Sequence, residues 1–185
     1  MILRSNLLAL AVFICGTGAV LAHALPGSVL LLRQQGSALQ LTVQFPVDDL
    51  IIAAPELSAL EGLPSGQPLP QELAAALARY LGRHLAVTKE TSPLDLTMTD
   101  ARVQSTYHDH LGDFALVVSQ WQMTGAGDRS TPLILTYDAV MHEVRNHRAA
   151  VHWIEQNGES RQISEFGYFG AANGIPLQPP AVGSE

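Results

Sequence analysis

Histidine is the residue type whose placement invites chemistry in this chain, with seven among 185 residues. In Tyr107-His108-Asp109-His110 two imidazoles stand two apart. A strand reaching that far points both to one face, where they can chelate one metal ion. The same residues also suit a polar connection into Gly112-Asp113, hydrogen-bonding locally. A second set is His142, His147 and His152. Its five-residue steps fit no single regular face, so the three ligate together only around a bend. Neutral imidazole suits nickel, cobalt, copper and zinc, and Asp138 or Glu143 can add oxygen. We therefore name His108, His110, His142 and His147 as candidate ligands of a divalent transition metal. The alternative is structural: part-buried rings that bond backbone at strand turns. His84 lies on the apolar stripe of a helix and reads as a core or boundary residue. His23 becomes a chelate beside a free α-amino group only if a leader is cut after Ala22.

Catalytic patterns are missing. There is no Gly-x-Ser-x-Gly elbow, no His-Glu-x-x-His helix and no phosphate-cradling glycine loop, and the single cysteine, Cys15, falls in the leader. Asp48-Asp49 reads as a solvated acidic pair, and Trp121 and Trp153 read as core or interface aromatics. We expect no enzyme and name no catalytic residue. The formal charge of −7 disfavours nucleic acid and anionic membranes as partners.

The elements that must position these side chains are mostly strands. Leu39, Leu41, Val43 and Phe45 alternate with Ala38, Gln40, Thr42 and Gln44, and Ser28 to Arg33 precedes them across Gly36-Ser37, which predicts a strand pair with one buried face. Val47 to Ala54 is compatible with a short helix ending before Pro55, and Glu61 to Pro70 reads as a loop. Leu73, Leu77, Tyr80, Leu81 and His84 form a helical stripe over Gln71 to Leu85, with Pro70 at the first helical position and Arg79 and Arg83 toward the carboxyl end. Strand texture returns in Leu94 to Met98, Val103 to Tyr107, Phe114 to Met123, Pro132 to Tyr137, Ala149 to Glu155 and Arg161 to Phe169. With about eight short strands and no βαβ alternation, the pattern predicts a mainly β, two-sheet sandwich-like domain with one inserted α-helix near residues 71–85. Ala171 to Glu185, with three prolines, reads as a flexible tail.

The opening residues predict export. Arg4, the apolar run Leu7 to Cys15 and the small residues before Ala22-His23-Ala24 have the order of a signal peptide, residues 1–24, with cleavage after Ala24 favoured over Ala22. Glycines interrupt the apolar stretch, which disfavours a retained anchor, and Val12-Phe13-Ile14 ahead of Cys15 disfavours a lipid anchor. What remains, residues 25–170 plus the tail, suits one domain without disulfides, periplasmic or otherwise exported.

Three stretches carry a resemblance: His23 to Leu32; Phe45-Pro46-Val47-Asp48-Asp49-Leu50; and Leu135 to Val144 with Asn146-His147-Arg148-Ala149. Together they resemble the extracytoplasmic N-terminal domain of HupE/UreJ-like membrane proteins. In that family a signal peptide and a β-rich domain of this size precede a hydrophobic bundle similar to nickel and cobalt permeases of hydrogenase and urease maturation. No such bundle follows within these 185 residues, so permease activity is not carried over. The resemblance implies a non-catalytic accessory module meeting a separately encoded permease-like membrane protein, presenting a divalent metal through His142, His147 or the His108/His110 pair. The competing expectation is a metal-independent sandwich that binds protein at the cell envelope.

Overall fold

The alternation of Leu30 and Leu32 with outward neighbours, and of Leu39, Leu41, Val43 and Phe45 with Gln and Thr, gives two strands that each bury one face. The computed structural model describes residues 27–36, 38–110, 112–125 and 132–178; the expected signal peptide lies outside them. These strands, β1 (Ser28–Gln35) and β2 (Ala38–Pro46), pair antiparallel and turn through Gly36, whose φ of 61° suits a residue without Cβ. Gly27, just before β1, is required sterically: a Cβ there would meet the Arg148 carbonyl oxygen at 2.0 Å.

Helix α1 (Val47–Ala53) and a 3-10 helix (Pro55–Leu60) follow, then α2 (Gln71–His84). Pro70 lies one residue ahead of the helix, not inside it, and its carbonyl accepts the Ala74 N–H at 2.9 Å. Leu77, Tyr80 and Leu81 on the predicted stripe are buried. Without an intervening loop α2 passes into β3 (Leu85–Lys89), followed by the two-residue β4 (Ser92–Pro93), β5 (Asp95–His108) and β6 (Gly112–Thr124). The last part comprises β7 (Leu133–Tyr137), β8 (Arg148–Ile154), β9 (Ser160–Gly167), the single turn α3 (Tyr168–Ala171) and β10 (Ile175–Leu177).

Six strands form one sheet in the order β5-β6-β2-β1-β8-β9, and four form another in the order β10-β7-β3-β4. Only β1 and β8 run parallel within the larger sheet. Apolar faces of both sheets, with α2 and the 3-10 helix, merge into one core that includes Leu41, Phe45, Leu60, Tyr80, Leu135 and Trp153. The protein is therefore mainly β, with two sheets and few helices, as the patterning predicts.

Three features depart from the sequence expectations. Strand β3 occupies a stretch that carried no prediction after the helix. The strands expected over Leu94 to Met98 and Val103 to Tyr107 are one strand, β5, which starts at Asp95 and in which a bulge between Met98 and Asp100 resets the register. The expected flexible tail does not begin at Ala171: Ala171, Ile175 and Leu177 are buried, and β10 adds to the edge of β7. Its two apolar residues flank Pro176, and a proline without N–H is tolerated on such an edge strand. No helix among the described residues is long and apolar enough to cross a membrane.

Candidate functional site

The register of β3 against β7 pairs Leu85 with Tyr137, which sets His84, the last residue of α2, opposite Asp138, the first residue beyond β7. The Asp138 N–H donates to the His84 carbonyl at 3.1 Å, and the two side chains meet where His84 Nδ1 lies 2.9 Å from Asp138 Oδ1. After Asp138 the chain turns back on itself. The His142 N–H donates to the Asp138 carbonyl at 3.2 Å, and His142 Nδ1 lies 3.3 Å from that same oxygen. His142 is thereby laid over His84, ring centroids 4.1 Å apart and planes 11° from parallel.

The chemistry of the partners assigns the tautomers. A carboxylate and a carbonyl only accept, so both neutral rings carry their proton on Nδ1 and donate it to Asp138. Each Nε2 then keeps its lone pair. Metal-ligating histidines are oriented in this way, the second ring nitrogen tied to a carboxylate or backbone carbonyl. Imidazole lone pairs lie in the ring plane, so in the stacked arrangement the two Nε2 donors point side by side, and the rings must open from the stack before both can bind one ion. The His84 side chain is 17% exposed and that of Asp138 is 44% exposed, which gives solvent a way in. Among the described residues no three His, Cys, Asp or Glu side chains gather into a metal cage. The pair therefore offers two nitrogens and an open side.

Strain accompanies this arrangement. Val140, fully buried between Asp138 and His142, has a φ of 67°, a left-handed conformation that costs a β-branched residue about 1–3 kcal/mol. Tyr80 holds it: Tyr80 Oη accepts the Val140 N–H at 2.8 Å. The Tyr80 ring centroid lies 4.8 Å from that of His84 and 6.0 Å from that of His142. Burial pushes the Tyr80 phenol up to about 12 from its usual 10.0.

The four histidines named from sequence fall into three sets of contacts. His142 joins the pair above. His147 is buried and belongs elsewhere: Nδ1 lies 2.7 Å from Asp49 Oδ2, and Nε2 accepts the Ser28 N–H at 3.0 Å and lies 2.8 Å from Ser28 Oγ. Ser28 Oγ in turn meets Tyr137 Oη at 2.6 Å. Both ring nitrogens of His147 are thus occupied, which removes it from the metal candidates. Asp49, read from sequence as solvated, is buried as its partner. The Asp49–His147–Ser28 distances match those of a nucleophilic triad. However, Ser28 is 1% exposed and its own N–H fills the Nε2 lone pair, so the chain of bonds clamps the start of β1 to α1, β7 and the loop before β8.

His108 and His110 lie at the β5–β6 hairpin end, exposed, with ring centroids 5.7 Å apart. The His110 N–H donates to His108 Nδ1 at 3.3 Å, so the local hydrogen-bonding alternative describes His108 better than the chelating one. His152 points to the outer face of β8 and meets Ser160 Oγ at 3.1 Å. The residue missed from sequence is His84. Its position on the α2 stripe is as predicted, but its partner is 54 residues away and is found only through the β3–β7 register. His23 lies outside the described residues.

No protein-family model matches this chain, and a search of curated proteins finds no match.

Proposed function

We propose that this chain is a non-catalytic, extracytoplasmic accessory module that binds a divalent transition metal through the Nε2 atoms of His84 and His142 and presents it to a permease-like membrane partner. The observation that carries the reading is the pair of neighbouring imidazoles with each Nδ1 tied to Asp138, which leaves each Nε2 as a donor that reaches a shared ion once the rings turn out of their stack. Structural metal sites are closed by four protein ligands, whereas a site that hands its ion on must leave positions for the receiver. Two nitrogens at a partly exposed surface meet that requirement. Nitrogen donors favour copper, nickel, zinc and cobalt over magnesium or calcium. The resemblance to the extracytoplasmic domain of HupE/UreJ-like proteins supports the same direction and supplies the kind of partner.

A second reading has its own support. With His147 committed to Ser28 and Asp49, and no three-ligand group among the described residues, the histidines also suit a metal-independent domain that binds protein at the envelope. Calorimetric titration with nickel, cobalt, copper and zinc separates the two. The metal reading expects one ion per chain at micromolar affinity, abolished by His84→Ala or His142→Ala and kept in His108→Ala. Absence of binding to all four metals rejects it in favour of the metal-independent domain.

A further inference from the structure

Outward residues of the larger sheet line up by register into two rows. Arg33, Gln40 and Gln122 stand opposite one another across β1, β2 and β6, and Leu31, Thr42 and Gln120 form the next row. Beside them the bulge in β5 inserts Thr99, whose hydroxyl donates to the Gln120 carbonyl at 3.3 Å. These side chains line a depression of about 240 Å³, to which Leu31 and Ile154 give apolar surface. We propose that the depression binds a small hydroxylated carboxylate of the size of one acidic sugar, its carboxylate on Arg33 and its hydroxyls on Gln120, Gln122 and Thr42. The site goes beyond the metal reading and does not depend on it.

Charge selects the carboxylate. Among the described residues Arg33 has no acidic partner, although the whole chain carries a net charge of −7. Asp100, opposite Gln120 in the register, is held by Arg102 at 2.9 Å and leaves Arg33 unanswered. A guanidinium presents its N–H groups as a fork that a carboxylate meets with two parallel hydrogen bonds. The amides select the hydroxyls. Gln120 and Gln122 have no side-chain partner among the described residues, and each offers one acceptor and two donors. Gln40 donates to Gln35 Oε1 at 2.6 Å and keeps its own acceptor. A hydroxyl both donates and accepts, so it matches this mixed lining, whereas a second anionic group would meet the amide oxygens. Size limits the ligand to one ring: drug-sized molecules occupy about 300–1,000 Å³, more than this depression holds.

The test is an NMR titration of the isotope-labelled protein with three probes: glucuronate, glucose, which keeps the ring hydroxyls without the charge, and propionate, which keeps the charge without the hydroxyls. Glucuronate is expected to bind with a dissociation constant of about 1 mM, the range open to so small a ligand at an exposed site, and to shift the side-chain amide signals of Gln120 and Gln122. Glucose and propionate should each bind about tenfold more weakly or worse. Arg33→Gln should weaken glucuronate about tenfold, while Arg79→Gln, which removes the same charge from the exposed side of α2, should leave its affinity unchanged. Replacing Gln120 and Gln122 together by alanine should bring glucuronate down to the level of propionate. All four positions are exposed, so the variants keep the core intact. Absence of saturable shifts at Gln120 and Gln122 overturns the site. An equal response to the three probes, or equal losses in Arg33→Gln and Arg79→Gln, overturns it as well. None of these outcomes bears on metal binding at the histidines.

Discussion

Replacing His147 by alanine tests the buried clamp at its centre. The change deletes the Asp49 contact at 2.7 Å, the Ser28 N–H bond at 3.0 Å and the Ser28 Oγ contact at 2.8 Å. Ser28 Oγ still has Tyr137 Oη, but the Ser28 N–H loses the His147 acceptor inside a residue that is 1% exposed. An unsatisfied buried donor costs about 1–3 kcal/mol. The Asp49 carboxylate, 13% exposed, loses the Nδ1–H donated by the neutral ring, and a hydrogen bond to a charged group is worth about 1.5–3 kcal/mol. Water reaching that edge of Asp49 moderates the sum, so a total of about 3–5 kcal/mol is expected. Urea unfolding followed by the fluorescence of the core residues Trp121 and Trp153 reads this directly. With a slope of about 1–3 kcal/mol per molar, the midpoint should fall by about 2 M. Asp49→Ala should cost less in the His147→Ala background than alone, since its partner is then already gone and the change removes an unpaired buried carboxylate. A loss below about 1 kcal/mol, or strict additivity of the two substitutions, would refute the clamp.

Two further outcomes follow from burial. Desolvation raises the phenols of Tyr80, to about 12, and of Tyr137, higher still, above their usual 10.0. Because the neutral form is favoured in the folded state, their contribution to stability is intact below pH 10 and is lost as pH rises through 12; tyrosinate absorbance should appear together with unfolding, and ionisation of both at pH 10 in folded protein would contradict it. At the other end of the chain, Leu177→Ala should cost about 2 kcal/mol in the same urea experiment, whereas a change within about 0.5 kcal/mol would return residues 175–177 to the status of a loose tail.

The parts of the fold that were legible in the sequence are those set by local pattern. Period-two alternation in Ala38 to Phe45 and the stripe through Leu77, Tyr80 and Leu81 each report a buried face within one element, and both faces are buried. Strand β3 was not legible, because Leu85-Ala86-Val87-Thr88-Lys89 follows the helix with no Gly or Pro between them, so nothing local marks where one period gives way to the other. Strand β10 was hidden for another reason: three residues are too few to show alternation, and their order comes from pairing with β7, more than thirty residues earlier in the chain. The bulge at Met98/Asp100 likewise depends on the partner strand β6.

The same limit separates the histidines, and it explains why residue type alone could not rank them. His147, His84 and His142 all donate Nδ1–H to an aspartate, by side chain or backbone, so their first contacts are nearly the same. What differs is the second nitrogen. At His147 the parallel pairing of β1 with β8 brings the start of β1 across the loop before β8, and the Ser28 N–H fills Nε2. At His84 and His142 the β3–β7 register ends at Leu85 and Tyr137, so no further strand backbone arrives to fill the two Nε2 lone pairs. Whether both nitrogens of an imidazole clamp the fold or one is left over is thus decided by where a ladder stops. Extending the ladder is the converse perturbation. A substitution that let residues 139 and 140 continue β7 past Asp138 would remove His142 from the stack while leaving the Asp49–His147–Ser28 clamp in place.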